Sequence, residues 1–301
     1  MTRLTAETLD FSRFPAPLAI KGIDYEVLMK QRKTRLVELF QAIGIEFDVA
    51  SLASDPAIIH AEDDAYQELL AYGEINDAVK AVMPAFARGA DLDHMAARFG
   101  VVRRIITAAT DSAPAVIEGD AEFRRRTLLA PEAWAAAGPI GAYAYHALTA
   151  DTRVINADIW SPGPGKVSVA LQARQGGGIA PSEVVEAVRA YLARPDIKPL
   201  TDMVTVRSVY TVPYSIELIA YVRPGPDQLA VKAAIEASVG AMVAARRMPA
   251  RDIPRSAIIA AATVGPVDRV QLLSPVADLV IGNGDLAVCL SINVQVLEHE
   301  G

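Results

Sequence analysis

An α+β fold, a helical region followed by two consecutive small α+β units, is what this 301-residue sequence predicts, and three observations predict it. Apolar residues recur at helical spacing through the first half and alternate in β-rich runs through the second. The grammar changes once, near residue 150, after which strands and helices run through two rounds of about 70 residues each. Finally, 53 residues are alanine, so the 52% apolar content reflects helix-forming side chains that bury little area.

Residues 1–23 carry Pro15 and Pro17 without a clear period and read as an extended arm. The helical region, 24–150, opens at Asp24, which can cap a helix to Ile43 with Leu28, Leu36, Leu39, Phe40 and Ile43 at helical spacing; Gly44 suits its stop. Ser54-Asp55-Pro56 starts the next helix, predicted over Ala57–Arg88 with its last turn kinked at Pro84. At about 100° per residue, Ile58, Ile59, Tyr66, Leu69 and Leu70 share one sector, while Ile75, Val79, Val82, Met83 and Phe86 share another roughly opposite. Between them, at Tyr72-Gly73-Glu74, either Gly73 breaks the helix or one long helix buries its halves against different neighbours. Glu62 falls in the first apolar sector, where it either reaches out to water or pairs with a basic residue of a packed partner.

A short helix over Asp91–Phe99, a polar link over Ala108–Ala115, and helices over Asp120–Ala137 and from Gly138-Pro139 through His146 complete the first part. The middle unit, 151–212, has strands Val154–Trp160 and Lys166–Ala173 around Ser161-Pro-Gly-Pro-Gly165, helix Ser182–Leu192 and strand Met203–Tyr210. The last unit, 213–301, has strand Tyr214–Val222, helices Gln228–Arg247 and Ser256–Thr263, and strands Val267–Leu273 and Ala287–Leu297.

A net charge of −7 argues against nucleic acid, whose phosphates need a basic surface. The acidity is concentrated: Glu46–Asp77 holds nine acids and no Lys or Arg. Arg124-Arg125-Arg126, with Glu118, Asp120 and Glu122 just before it, reads as a solvated, locally compensated face, or as a docking partner for that acidic segment. The single cysteine, Cys289, excludes an internal disulfide and reads as a buried, inert thiol. No stretch approaches the roughly 20 apolar residues of a membrane span, and the N-terminus shows no secretory h-region. A soluble protein of the reducing cytosol is expected.

The search for chemistry returns no catalytic, metal or cofactor residues. His60, His94, His146 and His299 form no metal-binding helix pair, and His60 with Asp64 reads as a solvated pair. Gly176-Gly177-Gly178 lacks the Lys-Ser/Thr of a phosphate loop and reads as a mobile loop. No nucleophile elbow is present.

The order of residues, however, resembles the baseplate J-like proteins, wedge components of contractile phage tails and tailocins. The resemblance runs from about Pro15 to Val296. It is carried by Pro15-Ala-Pro17, Asp24-Tyr25-Glu26 with Arg32-Lys33, then Glu62, Ala65 and Tyr66, Asn76-Asp-Ala78, Ala81-Val-Met83 and Gly89-x-Asp91-Leu92-Asp93 with Arg103. It continues in Glu118-x-Asp120, Phe123-Arg124, Gly138-Pro139, Ala142-Tyr143, His146-Ala147, Val154, Ser161-Pro162 and Gly165-x-Val167. Arg251-Asp252-Ile253, Ser256-Ala257-Ile258 and Val270 close it, and Pro84 departs from it.

The resemblance implies a virion baseplate protein made in the bacterial host cytoplasm, without enzymatic activity. It implies assembly with other wedge proteins and with copies of itself around a six-fold axis, and no contact with nucleic acid or membrane. On this reading Leu28, Leu39, Ile58, Glu62, Tyr66, Leu69, Leu70, Ile75, Val79 and Met83 form an interface. The alternative is a regulatory or enzymatic α+β protein that binds a small molecule at the edge of its units.

Overall fold

The structure, a computed structural model, describes residues 17, 22, 24–47, 53–135, 138–225 and 227–298. The expected arm over 1–23 lies, Pro17 and Gly22 apart, outside them. The described residues form two compact bodies, one up to Val102 and one from Arg103 onward, in an α+β architecture.

The first body is helical. Helix α1 (Tyr25–Ala42) begins where the Asp24 side chain accepts a hydrogen bond from the Glu26 amide, 2.9 Å. Helix α2 (Pro56–Ala81) is capped the same way by Asp55, and α3 (Gly89–Ala97) follows. Of the two readings of Gly73, the continuous helix is the one observed. The expected extension to Arg88 is not: α2 ends at Ala81, so Pro84 lies beyond the helix and does not kink it. The ring of a proline disfavours helical backbone at the residue before it, which stops the helix short of Met83.

Met29 of α1 meets Ile58, Ala61 and Ala65 of α2, with Tyr25, Leu28, Leu36 and Phe47 packed around them. Arg32 reaches across the two helices to Glu68 through Nε (3.0 Å) and Nη2 (2.6 Å). Phe40 stacks on Phe47 at 4.7 Å, folding the chain back after α1.

The second body opens with two short strands absent from the sequence reading, β1 (Ile105–Thr107) and β2 (Val116–Ile117), paired antiparallel. Helix α4 (Asp120–Leu129) then tightens into a 3-10 turn, Ala130–Trp134. Pro131 in the first turn of that segment marks where the expected single helix is interrupted. Helix α5 (Ile140–Ala150) leads into β3 (Val154–Gly163) and β4 (Lys166–Ala173). These pair antiparallel, and α6 (Ser182–Leu192) carries the chain to β5 (Met203–Ser208), parallel to β4. The second sheet is centred on β6 (Tyr210–Val222), with β7 (Val267–Ser274) antiparallel on one side and β8 (Asp285–Glu298) parallel on the other. Helices α7 (Gln228–Arg246) and α8 (Arg255–Ala262) join β6 to β7.

The core of this second sheet is Ile216, Leu218, Ala220 and Val222 against Val231, Ile235 and Val239 of α7 and Ile258 and Ala262 of α8. Contrary to the sequence reading, α7 is long and apolar enough by composition to cross a membrane. It packs one face on the sheet through Val231, Ile235 and Val239.

A single residue, Val209, separates β5 from β6, and it forms with Ala170 and Leu286 a small core flanked by Trp160 and Val288. Beside it the Arg207 guanidinium lies 4.3 Å from the Tyr210 ring centre and 5.3 Å from that of Trp160. Arg207 also donates to the Gly284 carbonyl at 3.2 Å, and the Gly284 amide donates to Asp158 at 2.7 Å. The three glycines read as a mobile loop instead form a 3-10 turn, Gly176–Gly178. Gly178 is buried at φ +105°, and a Cβ there would stand 2.5 Å from Leu286 Cδ2. Cys289 is half-buried and donates to the Ser291 carbonyl, 3.3 Å; burial pushes its thiol up, away from reactive thiolate.

Candidate functional site

The residues assigned to an interface lie on α1 and α2 and at the turn after α2. Projected at about 100° per residue, the side of α2 used within the body is a single sector holding Ile58, Ala61, Ala65, Leu69, Tyr72, Asn76 and Val79. Its most buried members are led by alanines, which let α1 approach closely. The stripe shift seen in the large apolar side chains is therefore not a shift of the buried face. Most of those side chains are left in solvent.

Tyr66 is 50% exposed, Leu70 45% and Ile75 54%, and on α1 Leu39 is 48% exposed. Ile59, Val82 and Phe86 are exposed as well. Leu28, Leu69, Val79 and Met83 are half-buried, and Ile58 is fully buried within its own body. Glu62 is half-buried and has no ion-pair partner among the described residues.

A second arrangement in the other body was hidden from sequence reasoning. Glu118 is buried, and its carboxylate accepts from Arg126 Nε (3.0 Å) and Nη2 (2.6 Å), from Arg104 Nη2 (3.0 Å) and from the Arg104 amide (3.2 Å). Burial pushes this carboxyl up, but the hydrogen bonds and charges of Arg126 and Arg104 outweigh it and hold it below its ordinary range. Arg104 further donates to the Leu148 carbonyl, and Arg103 pairs with Asp120 at 2.8 Å and lies over the Phe123 ring at 4.6 Å. The cluster thus ties β1, α4 and the end of α5 together.

This overturns the reading of the arginine triplet as a solvated face. Arg126 is buried in the Glu118 pair, and Glu122, its presumed local counter-charge, is held bidentately by Arg174 from the end of β4, at 2.7 and 2.6 Å. Among the described residues no group of His, Cys, Asp and Glu could hold a metal ion.

The first helices thus leave large apolar side chains in solvent, the kind of surface that packing against another chain covers. Comparison with known families agrees. The chain matches the baseplate J-like N-terminal domain over residues 53–110, the baseplate J-like central domain over 135–208 and the baseplate J-like protein C-terminal domain over 214–295. It belongs to the baseplate J-like family, structural proteins of phage tail baseplates. It is similar to baseplate protein J of Escherichia phage P2, 36% identical over 292 residues that cover 95% of this chain and 97% of that one.

Proposed function

We propose that this chain is a wedge subunit of a contractile tail baseplate, needed for baseplate assembly and for linking tube and sheath to the peripheral tail parts. It packs against other wedge proteins and copies of itself in a six-fold assembly, without nucleic acid, membrane or catalytic activity of its own. The helical region 24–150 supplies bundle contacts through α1 and α2, the middle unit 151–212 joins them to the rest, and 213–301 supplies lateral ring contacts.

The observation that carries this reading is that α2 leaves large apolar side chains in solvent on both flanks of the sector packed within its body, Tyr66 and Leu70 on one flank and Ile75 on the other. Isolated exposed apolar residues are ordinary, but several along one helix mark a surface to be covered. Ile58 works inside the body, so the side chains offered to other chains are Leu39, Tyr66, Leu70 and Ile75, spread over two flanks of the helices, with Leu28, Glu62, Leu69, Val79 and Met83 half-buried.

Leu70→Asp and Ile75→Asp test it, because both positions are exposed and the isolated chain keeps its core. Electron microscopy of particles assembled with either variant is expected to show tails without baseplates. Complete baseplates from both variants would remove α2 from the interface, while loss of baseplates on deleting the whole chain reports on the structural role itself.

A further inference from the structure

The second body contains a cavity of about 450 Å³ walled by α4, the end of α5, β3, β4 and the C-terminal end of α7. Its floor is apolar, with Ala121, Leu148, Val154, Ala244 and Met248. Four arginines line it, Arg104, Arg125, Arg126 and Arg247, against two acids, Glu118 and Glu122. Both carboxylates are already committed: Glu118 to Arg104 and Arg126, and Glu122 to Arg174.

That leaves Arg125 and Arg247 with donors to spare. The hydrogen bond of the Arg125 guanidinium is one long contact to the Ile155 carbonyl, 3.5 Å. Burial depresses its guanidinium, with Glu122 opposing, as for a cation short of partners. The Arg247 side chain has no hydrogen-bond or ion-pair partner among the described residues. Its carbonyl instead fixes the wall: Gln172 Nε2 donates to it at 3.2 Å, so Gln172 Oε1 takes Asn156 Nδ2 at 2.8 Å. Asn156 Oδ1 is thereby left buried without a donor.

We infer that this cavity is a binding site for a carboxylate carried on an apolar body, held by Arg125 and Arg247 with the apolar part against Leu148, Val154 and Met248. Arginine suits this task because its planar fork meets a carboxylate with two parallel hydrogen bonds. Two sources present that chemistry: a chain terminus ending in an apolar residue, and a free aliphatic acid. This inference stands apart from the role of α2, since the two faces lie on different bodies.

Calorimetric titration of the full chain tests it with hexanoate, with acetyl-leucine, and with hexanamide as the uncharged counterpart. Hexanoate and acetyl-leucine are expected to bind at least about tenfold more tightly than hexanamide, the difference charge-assisted hydrogen bonds supply. Arg125→Met and Arg247→Met are each expected to abolish that preference. Arg247 is exposed and its side chain is outside every internal clamp, so its variant folds even where Arg125→Met does not. Tighter binding of acetyl-leucine assigns the site to a chain terminus, and tighter binding of hexanoate assigns it to a free acid. No measurable carboxylate binding, equal binding of hexanamide, or unaltered binding by Arg247→Met overturns the inference.

Discussion

Replacing Glu118 by Gln removes one negative charge from a site with 0% side-chain exposure, flanked by Arg104 at 13% and Arg126 at 4%. Solvent therefore screens little of the change. The amide that replaces one carboxylate oxygen has no lone pair to offer and turns a donor toward guanidinium donors. Two of the four hydrogen bonds to this side chain are lost, and two guanidiniums lose the carboxylate charge they share. Removing one partner of such a buried cluster costs about 3–5 kcal/mol. For a body of this size that lowers the melting temperature by roughly 6–20 °C.

The pH dependence gives a second handle. The folded carboxyl titrates below its ordinary value of 4.5, so its contribution is present above that value and is lost as pH falls through the folded pKa. The deficit of Glu118→Gln should be full at pH 7 and shrink below pH 4.5. Calorimetric melts at both pH values measure it. A companion triple variant, Arg104→Met with Glu118→Leu and Arg126→Met, should recover much of the loss, because apolar packing can replace buried ion clusters. A Glu118→Gln deficit under about 1 kcal/mol at pH 7 would falsify the clamp.

Three further outcomes follow from the same geometry. Gly178→Ala places a Cβ 2.5 Å from Leu286 Cδ2 in left-handed backbone, and should cost about 1–3 kcal/mol in urea unfolding. A loss below about 0.5 kcal/mol would contradict that packing. Burial holds His146 below its ordinary pKa of 6.5, with Asp196 opposing and Arg194 adding, so the folded chain keeps it neutral while the unfolded chain takes a proton. Stability should therefore fall as pH drops below 6.5, by at most about 1.4 kcal/mol per pH unit, and His146→Phe should flatten that slope in melts between pH 7.5 and 5.5. Tyr143→Phe deletes the 2.6 Å hydrogen bond to Asp202 and should cost about 1–2 kcal/mol; unchanged melting would show that the pair contributes nothing.

Much of this fold was legible from local pattern alone. Strand Lys166–Ala173 alternates, and helix Ser182–Leu192 starts straight after Pro181 with a narrow apolar stripe, so their predicted bounds coincide with the observed ones. What local pattern does not hold is long-range pairing. The strands Ile105–Thr107 and Val116–Ile117 are too short to show alternation and exist because each pairs with the other. Glu118 looked like the local counter-charge of the arginine triplet, yet half of its clamp is Arg104, on the far side of that hairpin. Only the fold brings these groups together. On α2 the large side chains drew the eye to Ile59, Tyr66 and Leu70, while Ala61 and Ala65 on another face meet α1. Alanine is quiet in a hydropathy pattern, and its value appears only when a neighbour approaches closely. The residues proposed as interface were found by the same large-side-chain signal, which is a better guide to what remains uncovered on α2 than to what is buried.

The passage from β5 to β6 has a mechanical meaning. With Val209 alone between them, the two strands form a nearly unbroken extended tether through two sheets, and each is parallel to a neighbour, β4 and β8. A pull along that tether loads both sets of inter-strand hydrogen bonds in shear, where many must fail together, and not in peel, where they open one by one. The pairing of β6 with β8 spans Tyr210–Val222, so the longest strand pairing among the described residues begins at the junction itself. Arg207, wedged beside Trp160 and Tyr210 and bonded to Gly284, braces the same point against bending. Tension entering one sheet is thus delivered to the other without a compliant linker in between, the behaviour of a stay and not of a hinge.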